Sequence, residues 1–600
     1  MTARVRVIGL GCMRLSTAAD RDDARAIAVI HTALDAGATF LDTADAYCHD
    51  ERDVGHNERL VAQAVQSWNG DRTTITVATK GGLRRPKGQW INDGRAKHLK
   101  DACEASLRAL GVERIDLYQL HAVDPKVEIE TSVRALAALQ KQGKIRDIGL
   151  CNVNLAQLER ARAIADVAAV QVSLSVFDDE SLRNGVAEYC RDNRIRLVAY
   201  RPLGGDRVKR LARDPILEQI AAKAGATPAD IALAWLMTFD ADVVPIPGAT
   251  RVETAAALVR PLAIALDEED VSALDMRFSG RLLRVPRDRR RPTERATDSE
   301  VVIVMGMPGA GKTTLARDLE AQGYERLNRD ALGGSLADLV PRLDVALENG
   351  AHRLVLDNTY PSRASRNAVI ETAWAHGVSA RCVCLTTSVA DAQVNAIHRL
   401  IEAHGRLPSP EEIRAHAKND PRYLLPDAQF RYERTVEPPD VSEGFERVDE
   451  VAFAARDDVR ASGNARAVIL DADDLMGPDA EPFERRRAKL AERQASGWLL
   501  FAHAWRPQVS RGIATLADVD KSFAQLRTQL GLEIGLAHCV HDVGPPICWC
   551  RKPIPGPLIE FARRCDVSLR DSIIVGSSAA DRTMSERLGT SFESTDAFFG

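Results

Sequence analysis

The chain has 600 residues, of which 45% are hydrophobic and 28% are charged, and its formal net charge is -5. This length fits three or four domains, and the composition is that of ordinary globular domains with apolar residues enough for several cores. The small net charge excludes an overall basic surface for nucleic acid, so any such surface must be local. No signal peptide and no long apolar span are recognisable, and 11 scattered cysteines favour reduced thiols or metal ligands over disulfides. We therefore expect a cytoplasmic protein.

Short apolar strands alternate with amphipathic helices over residues 1–280. The strand candidates are 39–41, 75–78, 115–118, 145–149, 169–172 and 196–200. This alternation predicts an α/β fold of the (β/α)8 TIM-barrel type, with the active site at the carboxyl ends of the strands.

Polar side chains recur at those strand ends, namely Asp42, Tyr47, Lys80 and His121. A tyrosine beside an ammonium has its phenolate favoured, so it can pass a proton to a carbonyl oxygen near neutral pH. Asp42 would hold the lysine, and His121 would orient the carbonyl. Each residue alone is equally compatible with structural pairing, whereas four of them at matching strand ends indicate a catalytic site.

The tetrad, together with residues 9–13, 41–47 and 245–248, resembles the aldo-keto reductases across the whole amino-terminal domain. The resemblance implies NADPH as the cofactor, with Asn152 and Gln171 facing the nicotinamide amide, Tyr200 stacked on its ring and Arg251 at the 2′-phosphate. Cys48 and Cys151 stand where the family more often has glycine and serine, which bears on substrate choice more than on mechanism.

Residues 281–300 form a basic segment between this domain and the next one. Its prolines and charges discourage packing, so a solvated linker is predicted, and contact of the arginine run with a phosphate backbone is the alternative.

A glycine-rich segment follows the apolar strand at 301–305 and precedes a helical pattern. The sequence from Gly306 to Thr314 fits G-x-x-x-x-G-K-[ST], with Gly309 and Gly311 as the inner glycines. The glycines let backbone N–H groups turn towards phosphate oxygens, Lys312 reaches the β and γ phosphates, and the Thr313 hydroxyl can ligate Mg²⁺. We predict an ATP-binding phosphate loop, because an ordinary glycine-rich turn gives no reason for the lysine.

Two acidic positions follow the phosphate loop, Asp330 and the strand end at Asp357. A carboxylate near the loop can accept the proton of an attacking hydroxyl. Besides the phosphate loop, the motifs that carry a family resemblance are residues 328–333, 357–359, 361–366, 377–382 and 443–445. With these motifs the region 301–455 resembles the kinase half of polynucleotide kinase-phosphatase, a P-loop α/β domain.

By that resemblance Asp330 is the general base for a 5′-hydroxyl, and Arg399 is the lid arginine over the transferring phosphoryl group. The alternatives are a helix cap for Asp330 and a solvated helix charge for Arg399. Gly333 stands where some of these kinases have an arginine that holds the acceptor phosphate, so acceptor binding is less well supported than ATP binding.

A second joint is expected near residues 454–465, and the last predicted domain spans 466–600. It begins with an apolar strand that delivers Asp471 and Asp473 on the same face. In a phosphatase the first attacks phosphorus and the second protonates the leaving group, with Mg²⁺ shared between them. Downstream, residues 551–556 contain Lys552, and residues 574–581 contain the metal-binding candidate Asp581. With these motifs the domain resembles the Rossmannoid haloacid-dehalogenase (HAD) superfamily, closest to its histidinol- and heptose-phosphate phosphatases.

Three departures from the HAD pattern predict a weakened or inactive phosphatase. Ser577 replaces a Mg²⁺-binding aspartate, Ala504 falls where a phosphate-holding hydroxyl is expected, and Asp474-Leu475 replaces Gly-Thr.

A compact group of thiols and one imidazole lies within the same domain. The spacing of Cys539, His541, Cys548 and Cys550 suits tetrahedral Zn²⁺, and the phosphatases just named carry such a site. The alternative is four buried, unligated side chains.

Together these features predict a multidomain nucleic-acid end-healing enzyme. The kinase would phosphorylate 5′-OH ends of RNA or DNA, the third domain would trim a terminal phosphate or hold the strand, and the barrel would reduce a small or strand-borne carbonyl. Two alternatives remain. One is a metabolic fusion whose kinase acts on a small alcohol or sugar, and the other is a kinase regulated by a redox-sensing barrel and a strand-gripping pseudo-phosphatase. No membrane partner is expected, and the oligomeric state is not predicted.

Overall fold

The computed structural model describes residues 6–240, 242–292, 299–417, 420–452, 463–475, 480–542, 544 and 547–600. The chain divides into two compact units, residues 1–291 and 292–600. One eight-stranded sheet lies in the first unit and two five-stranded sheets lie in the second. The described helices include none with the length and apolar character that a bilayer crossing requires.

The first unit is built on an all-parallel barrel, which confirms the predicted TIM-type fold. Its strands, in spatial and chain order, are β1 (Gly9–Gly11), β2 (Phe40–Asp42), β3 (Thr76–Gly81), β6 (Ile115–Leu120), β7 (Ile145–Cys151), β8 (Ala169–Ser173), β9 (Arg196–Tyr200) and β10 (Val243–Ile246). The remaining pair, β4 (Leu83–Arg84) and β5 (Ile91–Asn92), forms a small antiparallel ribbon beside the barrel.

Backbone contact between the first and last strands closes the barrel. The Gly11 N–H donates to the Pro247 carbonyl at 3.1 Å, and Gly11 bridges Gly248 in parallel. A Cβ at Gly11 would lie only 2.9 Å from the Ile246 carbonyl oxygen, so this close approach requires glycine.

The barrel helices place their apolar faces on the strands. In the helix Asp23–Ala36, for example, the buried residues follow the helical repeat at positions 26, 29, 30, 33 and 34. The α-helices of this unit are Met13–Thr17, Asp23–Ala36, His56–Ser67, Ala96–Leu110, Ile129–Lys141, Leu155–Arg162, Glu180–Arg183, Val186–Asp192, Pro215–Ala224, Pro228–Leu236, Val252–Ala256, Glu268–Phe278, Arg281–Arg284 and Arg287–Arg290.

The segment after Phe278 differs from the solvated linker predicted for it. Leu282 and Leu283 are buried in the core of the barrel unit, and Arg284 pairs with Asp275. Buried Arg290 donates to the Leu282 carbonyl at 2.7 Å. The prediction was wrong for residues 281–291 because two leucines within the arginine run supply enough apolar surface to dock it. Residues 293–298 of the predicted linker lie outside the described residues.

The second unit begins with a five-stranded parallel sheet. Its spatial order is β12 (Glu325–Leu327), β13 (Arg353–Asp357), β11 (Glu300–Met305), β14 (Ser379–Leu385) and β15 (Val448–Val451). The helices are Lys312–Ala321, Arg329–Leu332, Leu339–Glu348, Arg363–Ala375, Val389–His404, Pro410–His416 and Asp427–Thr435. A fully buried ion pair between Arg366 and Glu443 ties the chain end of this region to the helix beside β14.

A second parallel sheet follows, with the order β18 (Ile534–Cys539), β17 (Trp498–Trp505), β16 (Arg466–Asp471), β19 (Ile573–Gly576) and β20 (Ser591–Ser594). Its helices are Ala472–Leu475, Ala480–Ala495, Leu516–Leu530, Gly556–Arg564, Ala579–Leu588 and Thr595–Phe599. Most of the predicted joint at 454–465 lies outside the described residues.

Candidate functional site

The predicted catalytic tetrad of the barrel meets at the carboxyl ends of β2, β3 and β6. The Lys80 Nζ donates to Asp42 Oδ1 at 2.7 Å, to the Thr43 carbonyl at 2.8 Å and to Tyr47 Oη at 3.1 Å. The Tyr47 and His121 rings meet edge to face with centroids 5.4 Å apart. The four side chains therefore surround one small volume at the top of the barrel, as the sequence predicted.

Burial decides the protonation of this group. Burial raises the pKa of the Tyr47 phenol more than the Lys80 charge lowers it. The prediction of a favoured phenolate is thus wrong in its net effect, and Tyr47 is a protonated donor at neutral pH. Burial and the Lys80 charge hold the His121 pKa well below its usual range, so this imidazole is neutral. For Lys80, burial opposes the charge, but Asp42, together with Tyr47 and Cys151, more than offsets burial and raises the lysine pKa.

The predicted cofactor residues lie on successive strand ends around the tetrad. Gln171, buried on β8, donates to Asp42 Oδ2 at 3.4 Å and accepts from Gln119 at 2.9 Å. Tyr200, at the end of β9, donates its hydroxyl to Asn152 Oδ1 at 3.0 Å. Arg251 is exposed and precedes the helix Val252–Ala256. Three of these polar side chains thus lie at the carboxyl ends of β7, β8 and β9.

Two residues near this site were missed by the sequence analysis. The Arg85 guanidinium lies 3.7 Å from the centroid of the Trp90 ring, and Trp90 lies edge-on to His121 with centroids 6.3 Å apart. Arg85 Nη2 also donates to the carbonyls of Cys48 and His49. Both residues lie in the connection between β4 and β5, and only the fold of this connection brings them together near His121.

The phosphate loop in the second unit has the backbone that its sequence predicted. Gly306, Gly309 and Gly311 all have positive φ, at 151°, 91° and 97°. A Cβ at Gly309 would lie 2.3 Å from the Ala392 carbonyl oxygen, so this turn needs glycine. The loop opens directly into the helix Lys312–Ala321, with Thr313 and Thr314 exposed in its first turn. This is the arrangement that places several N–H groups around an anion.

Two side chains beyond the motif fix the loop from outside. Asn395 Nδ2 donates to the Gly309 carbonyl at 3.0 Å, and Gln429 Nε2 donates to the Pro308 carbonyl at 2.8 Å. The sequence analysis missed both, because they lie more than 80 residues from the loop.

Lys312, Arg399 and Asp330 act on one another electrostatically. Burial and the positive charge of Arg399 lower the pKa of Lys312 to about 8, while Asp357 and Asp330 oppose this shift. Burial lowers the pKa of Arg399, and Asp330 partly restores it. Arg399 is thus a partly buried cation that acts electrostatically on Lys312 of the phosphate loop, rather than a fully solvated helix charge.

The structure also separates the two acidic candidates for the base. Asp357 is buried and makes a two-pronged ion pair with Arg326 at 2.7 and 2.8 Å. Asp330 is exposed and pairs with the Arg329 guanidinium at 2.9 Å. Asn328, not Asp330, caps the helix Arg329–Leu332, since its side chain accepts from the Ala331 N–H. Of the two acids, Asp330 is therefore the one accessible to an acceptor.

In the carboxy-terminal domain the predicted charged residues also come together. The Lys552 Nζ lies 2.7 Å from Asp471 Oδ2 and 2.7 Å from Asp581 Oδ1. Burial raises the pKa of Asp471, and the Lys552 charge partly offsets this. One ammonium thus holds two carboxylates at the carboxyl ends of β16 and β19.

Asp473 and Ser577 have partners that the sequence analysis did not foresee. Arg506 pairs with both carboxylate oxygens of Asp473, at 2.7 and 2.9 Å. The Ser577 hydroxyl donates to Asp474 at 2.8 Å, and Ala504 is buried in β17 with no hydroxyl to offer. The proposed acid of the catalytic pair is therefore engaged by a guanidinium.

The predicted zinc ligands form one cluster. The ligand atoms of Cys539, His541, Cys548 and Cys550 all lie within 4.8 Å of one another. The Cys539 and Cys548 sulfurs are 3.7 Å apart, and His541 Nδ1 lies 3.4 Å from the Cys550 sulfur. Three sulfurs and one nitrogen at these separations have the donor chemistry and size of a tetrahedral Zn²⁺ site. Zinc itself stays a prediction.

Two family models match parts of the chain. The model of the aldo/keto reductase family matches residues 7–276, and an AAA-domain model matches residues 301–402. The second match makes this region a P-loop, kinase-like domain. The resemblance of the last domain to the HAD superfamily stays a prediction.

Individual relatives were found for the first region. "Probable aldo-keto reductase 1" of Glycine max is 33% identical over 299 residues, covering 44% of this chain and 84% of the relative. A solved thermostable aldo-keto reductase, Tm1743, in complex with the inhibitor epalrestat is 30% identical with a TM-score of 0.39, covering 45% of this chain and 94% of the other. An aldo-keto reductase from Klebsiella pneumoniae in complex with NADPH is 25% identical with a TM-score of 0.39, covering 46% and 91%. Through its amino-terminal region, the chain belongs to the aldo/keto reductase family.

Proposed function

We propose that the protein is a bifunctional enzyme that reduces a carbonyl with NADPH at the barrel and phosphorylates 5′-hydroxyl ends of nucleic acid at the P-loop domain. The observation that carries the second activity is the joint placement of Lys312, Arg399 and Asp330 at one phosphate loop. Such a set provides phosphate binding, charge stabilisation and a proton acceptor together.

In the barrel, this chain's residues supply the proton and hold the substrate. Tyr47, protonated at neutral pH, donates to the carbonyl oxygen, and the adjacent Lys80 ammonium stabilises the tyrosinate that remains. The neutral His121 can donate a hydrogen bond to the same oxygen. Bound NADPH supplies the hydride. The polar rim formed by Asn152, Gln171, Tyr200 and Arg251 suits its nicotinamide amide and 2′-phosphate.

In the P-loop domain, the loop amides and Lys312 bind the phosphates of ATP, while Arg399 offsets charge on the transferring group. Asp330 removes the proton from the attacking hydroxyl. The glycine-lined loop supports binding of a triphosphate, and the exposed Thr313 hydroxyl would ligate Mg²⁺, which when bound would shield the phosphate charges.

The choice of nucleic acid as the acceptor is supported by the sequence resemblance over 301–455. The test is transfer of labelled γ-phosphate from ATP to 5′-OH RNA, 5′-OH DNA and small polyols, with 5′-phosphorylated strands as the control. We expect labelling of the 5′-OH strands only. Labelling of the polyols alone would instead establish the metabolic alternative, which the missing acceptor arginine at Gly333 favours.

Two variants separate the roles within the kinase site. We expect Lys312→Ala to lose both ATP binding and transfer, whereas Asp330→Ala loses transfer and still binds ATP. Loss of ATP binding in the Asp330 variant would show that this acid is structural.

The barrel substrate is proposed to be a small or strand-borne aldehyde. This rests on the fusion of the reductase to an end-modifying kinase. NADPH oxidation is measured with abasic or 3′-aldehyde strands beside a small aldehyde. Turnover of the strands equal to the no-substrate rate would remove the link to nucleic-acid repair.

For the last domain, we propose a HAD-like fold with a structural Zn²⁺ at the Cys/His cluster and little phosphatase activity. The pairing of Asp473 with Arg506 and the lack of a hydroxyl at Ala504 support low activity, since both acid catalysis and phosphate binding are weakened. Bound Mg²⁺ would draw on Asp471, Asp473 and Asp581, whose carboxylates already have partners in the chain. Zinc content is measurable by elemental analysis of the purified chain.

A further inference from the structure

One helix of the kinase, Val389–His404, has two working faces. On one face, Asn395 holds the Gly309 carbonyl of the phosphate loop at 3.0 Å, and Arg399 lies near enough to Lys312 to lower its pKa. Gln393, Ile397 and Leu400 follow at helical spacing on the other face. We use the name lid segment for residues 389–417 and 420–435, which contain this helix.

The second face packs into the carboxy-terminal domain rather than into solvent. Ile397, Leu400 and Ile401 share one hydrophobic core with the helices Gly556–Arg564 and Ala579–Leu588. Ile413 and Tyr423 of the lid segment join the same core, so the contact extends beyond one helix. A shared core of this kind fixes the relative position of the elements that form it.

Three polar contacts cross the same boundary. Arg587 donates to Gln393 Oε1 at 2.7 Å, and the Trp549 indole donates to the Leu424 carbonyl at 2.7 Å. Glu560 accepts from the Leu407 N–H at 3.3 Å.

Trp549 and Arg587 also lie next to the Cys/His cluster and the charged site of the carboxy-terminal domain. Trp549 is fully buried and stands between Cys548 and Cys550 of the Cys/His cluster. Arg587 donates as well to the Pro553 carbonyl at 3.2 Å, next to the site lysine Lys552.

We propose that the carboxy-terminal domain positions the kinase lid, with Trp549 and Arg587 as positioning residues that fix the helix bearing Arg399. Cys548 and Cys550 of the Cys/His cluster flank Trp549 on both sides, and with Zn²⁺ as the proposed occupant they would hold Trp549 in place against the lid segment. This rests on the proposed kinase function. Positioning the lid segment is a structural role of the carboxy-terminal domain that does not require phosphatase activity.

The test compares variants of the full chain that break these contacts with matched controls. Trp549→Phe removes the indole donor but keeps the aromatic ring, and Arg587→Ala removes the contact to Gln393. Trp498→Phe is the first control, because that ring stacks on Arg466 and Arg493 within the carboxy-terminal domain. Arg582→Ala is the second, because Arg582 lies on the same helix as Arg587 but stacks on Phe592.

We expect Trp549→Phe and Arg587→Ala each to lower kcat for strand phosphorylation about fivefold to tenfold, with the KM for ATP changed less than about twofold. Amide exchange should quicken in residues 389–404 and stay unchanged in β11. Chelation of the metal from the wild type should quicken exchange in the same helix, and Arg587→Lys should recover part of kcat. The two controls should match the wild type.

Unchanged kcat and unchanged exchange in both variants would overturn the proposal. So would equal losses in the controls, or faster exchange spread over β11, since these would indicate general destabilisation. Should the wild type phosphorylate no acceptor at all, the kinase function fails. The exchange measurements would still decide whether the carboxy-terminal domain holds the lid.

Discussion

Replacing Asp42 by asparagine tests how the barrel keeps Lys80 charged. Among the described residues, Asp42 provides the carboxylate against the ammonium, at 2.7 Å, and both side chains are nearly inaccessible to solvent. At that distance and an effective dielectric constant near 20 the attraction is about 6 kcal/mol. Breaking a buried pair typically costs about 3–5 kcal/mol. At about 1.4 kcal/mol for each pKa unit, the Lys80 pKa should fall by about 2–4 units.

The assay follows NADPH consumption with a model aldehyde between pH 6 and 10. The Lys80 pKa is raised in the wild type, so the lysine stays charged and activity should persist at alkaline pH. In Asp42→Asn, Lys80 loses its proton at a lower pH, so the alkaline limb of kcat should lie about 2–4 pH units below that of the wild type. Asp147→Asn, which loses only an exposed pair with Arg146, is the control. An alkaline limb unchanged in Asp42→Asn would refute the reasoning.

Three further predictions concern the three sites in turn. Tyr47→Phe should lower carbonyl reduction by about 10²–10⁴-fold while NADPH still binds, because only the proton donor is lost; NADPH fluorescence titration and turnover check this. Bound phosphates should raise the Lys312 pKa from about 8, so ATP binding should take up a proton near pH 8 and weaken as the pH rises further. Calorimetry in buffers of different ionisation enthalpy measures this proton uptake, and Lys312→Arg should abolish it. Arg506→Ala should free Asp473 and raise phosphomonoester hydrolysis about tenfold, with Arg511→Ala as a control whose rate stays at the wild-type level.

Much of the fold could be predicted because it depends on local pattern. Six of the eight barrel strands show as apolar runs, and the phosphate loop shows as a motif between strand and helix. Gly9–Gly11 is too short and glycine-rich to read as a strand, since only pairing with its neighbours makes it one. The prediction for the segment 281–291 was wrong for a similar reason. Its charge suggested exposure to solvent, whereas Leu282 and Leu283 are buried in the core of the barrel unit.

The site residues also divide into those that the residue type alone identifies and those that depend on tertiary contacts. The tetrad and the Cys/His cluster could be predicted because their residue types have distinctive chemistry, however far apart they lie in the sequence. The pair formed by Asp473 and Arg506 depends on where a short helix meets the end of β17, and the contact between Gln393 and Arg587 joins residues 194 positions apart. No local pattern encodes such a meeting. The net protonation of Tyr47 was also beyond the sequence, because it depends on the degree of burial.

The late position of β15 in the chain has a consequence for biosynthesis. This edge strand, Val448–Val451, pairs with β14, which ends at Leu385, and Glu443 just before it forms the buried ion pair with Arg366. The ribosome must therefore synthesise more than 60 residues after β14 before the nucleotide-binding sheet can be completed. Until then Arg366 lacks its counter-charge, and one edge of the sheet stays open to other chains.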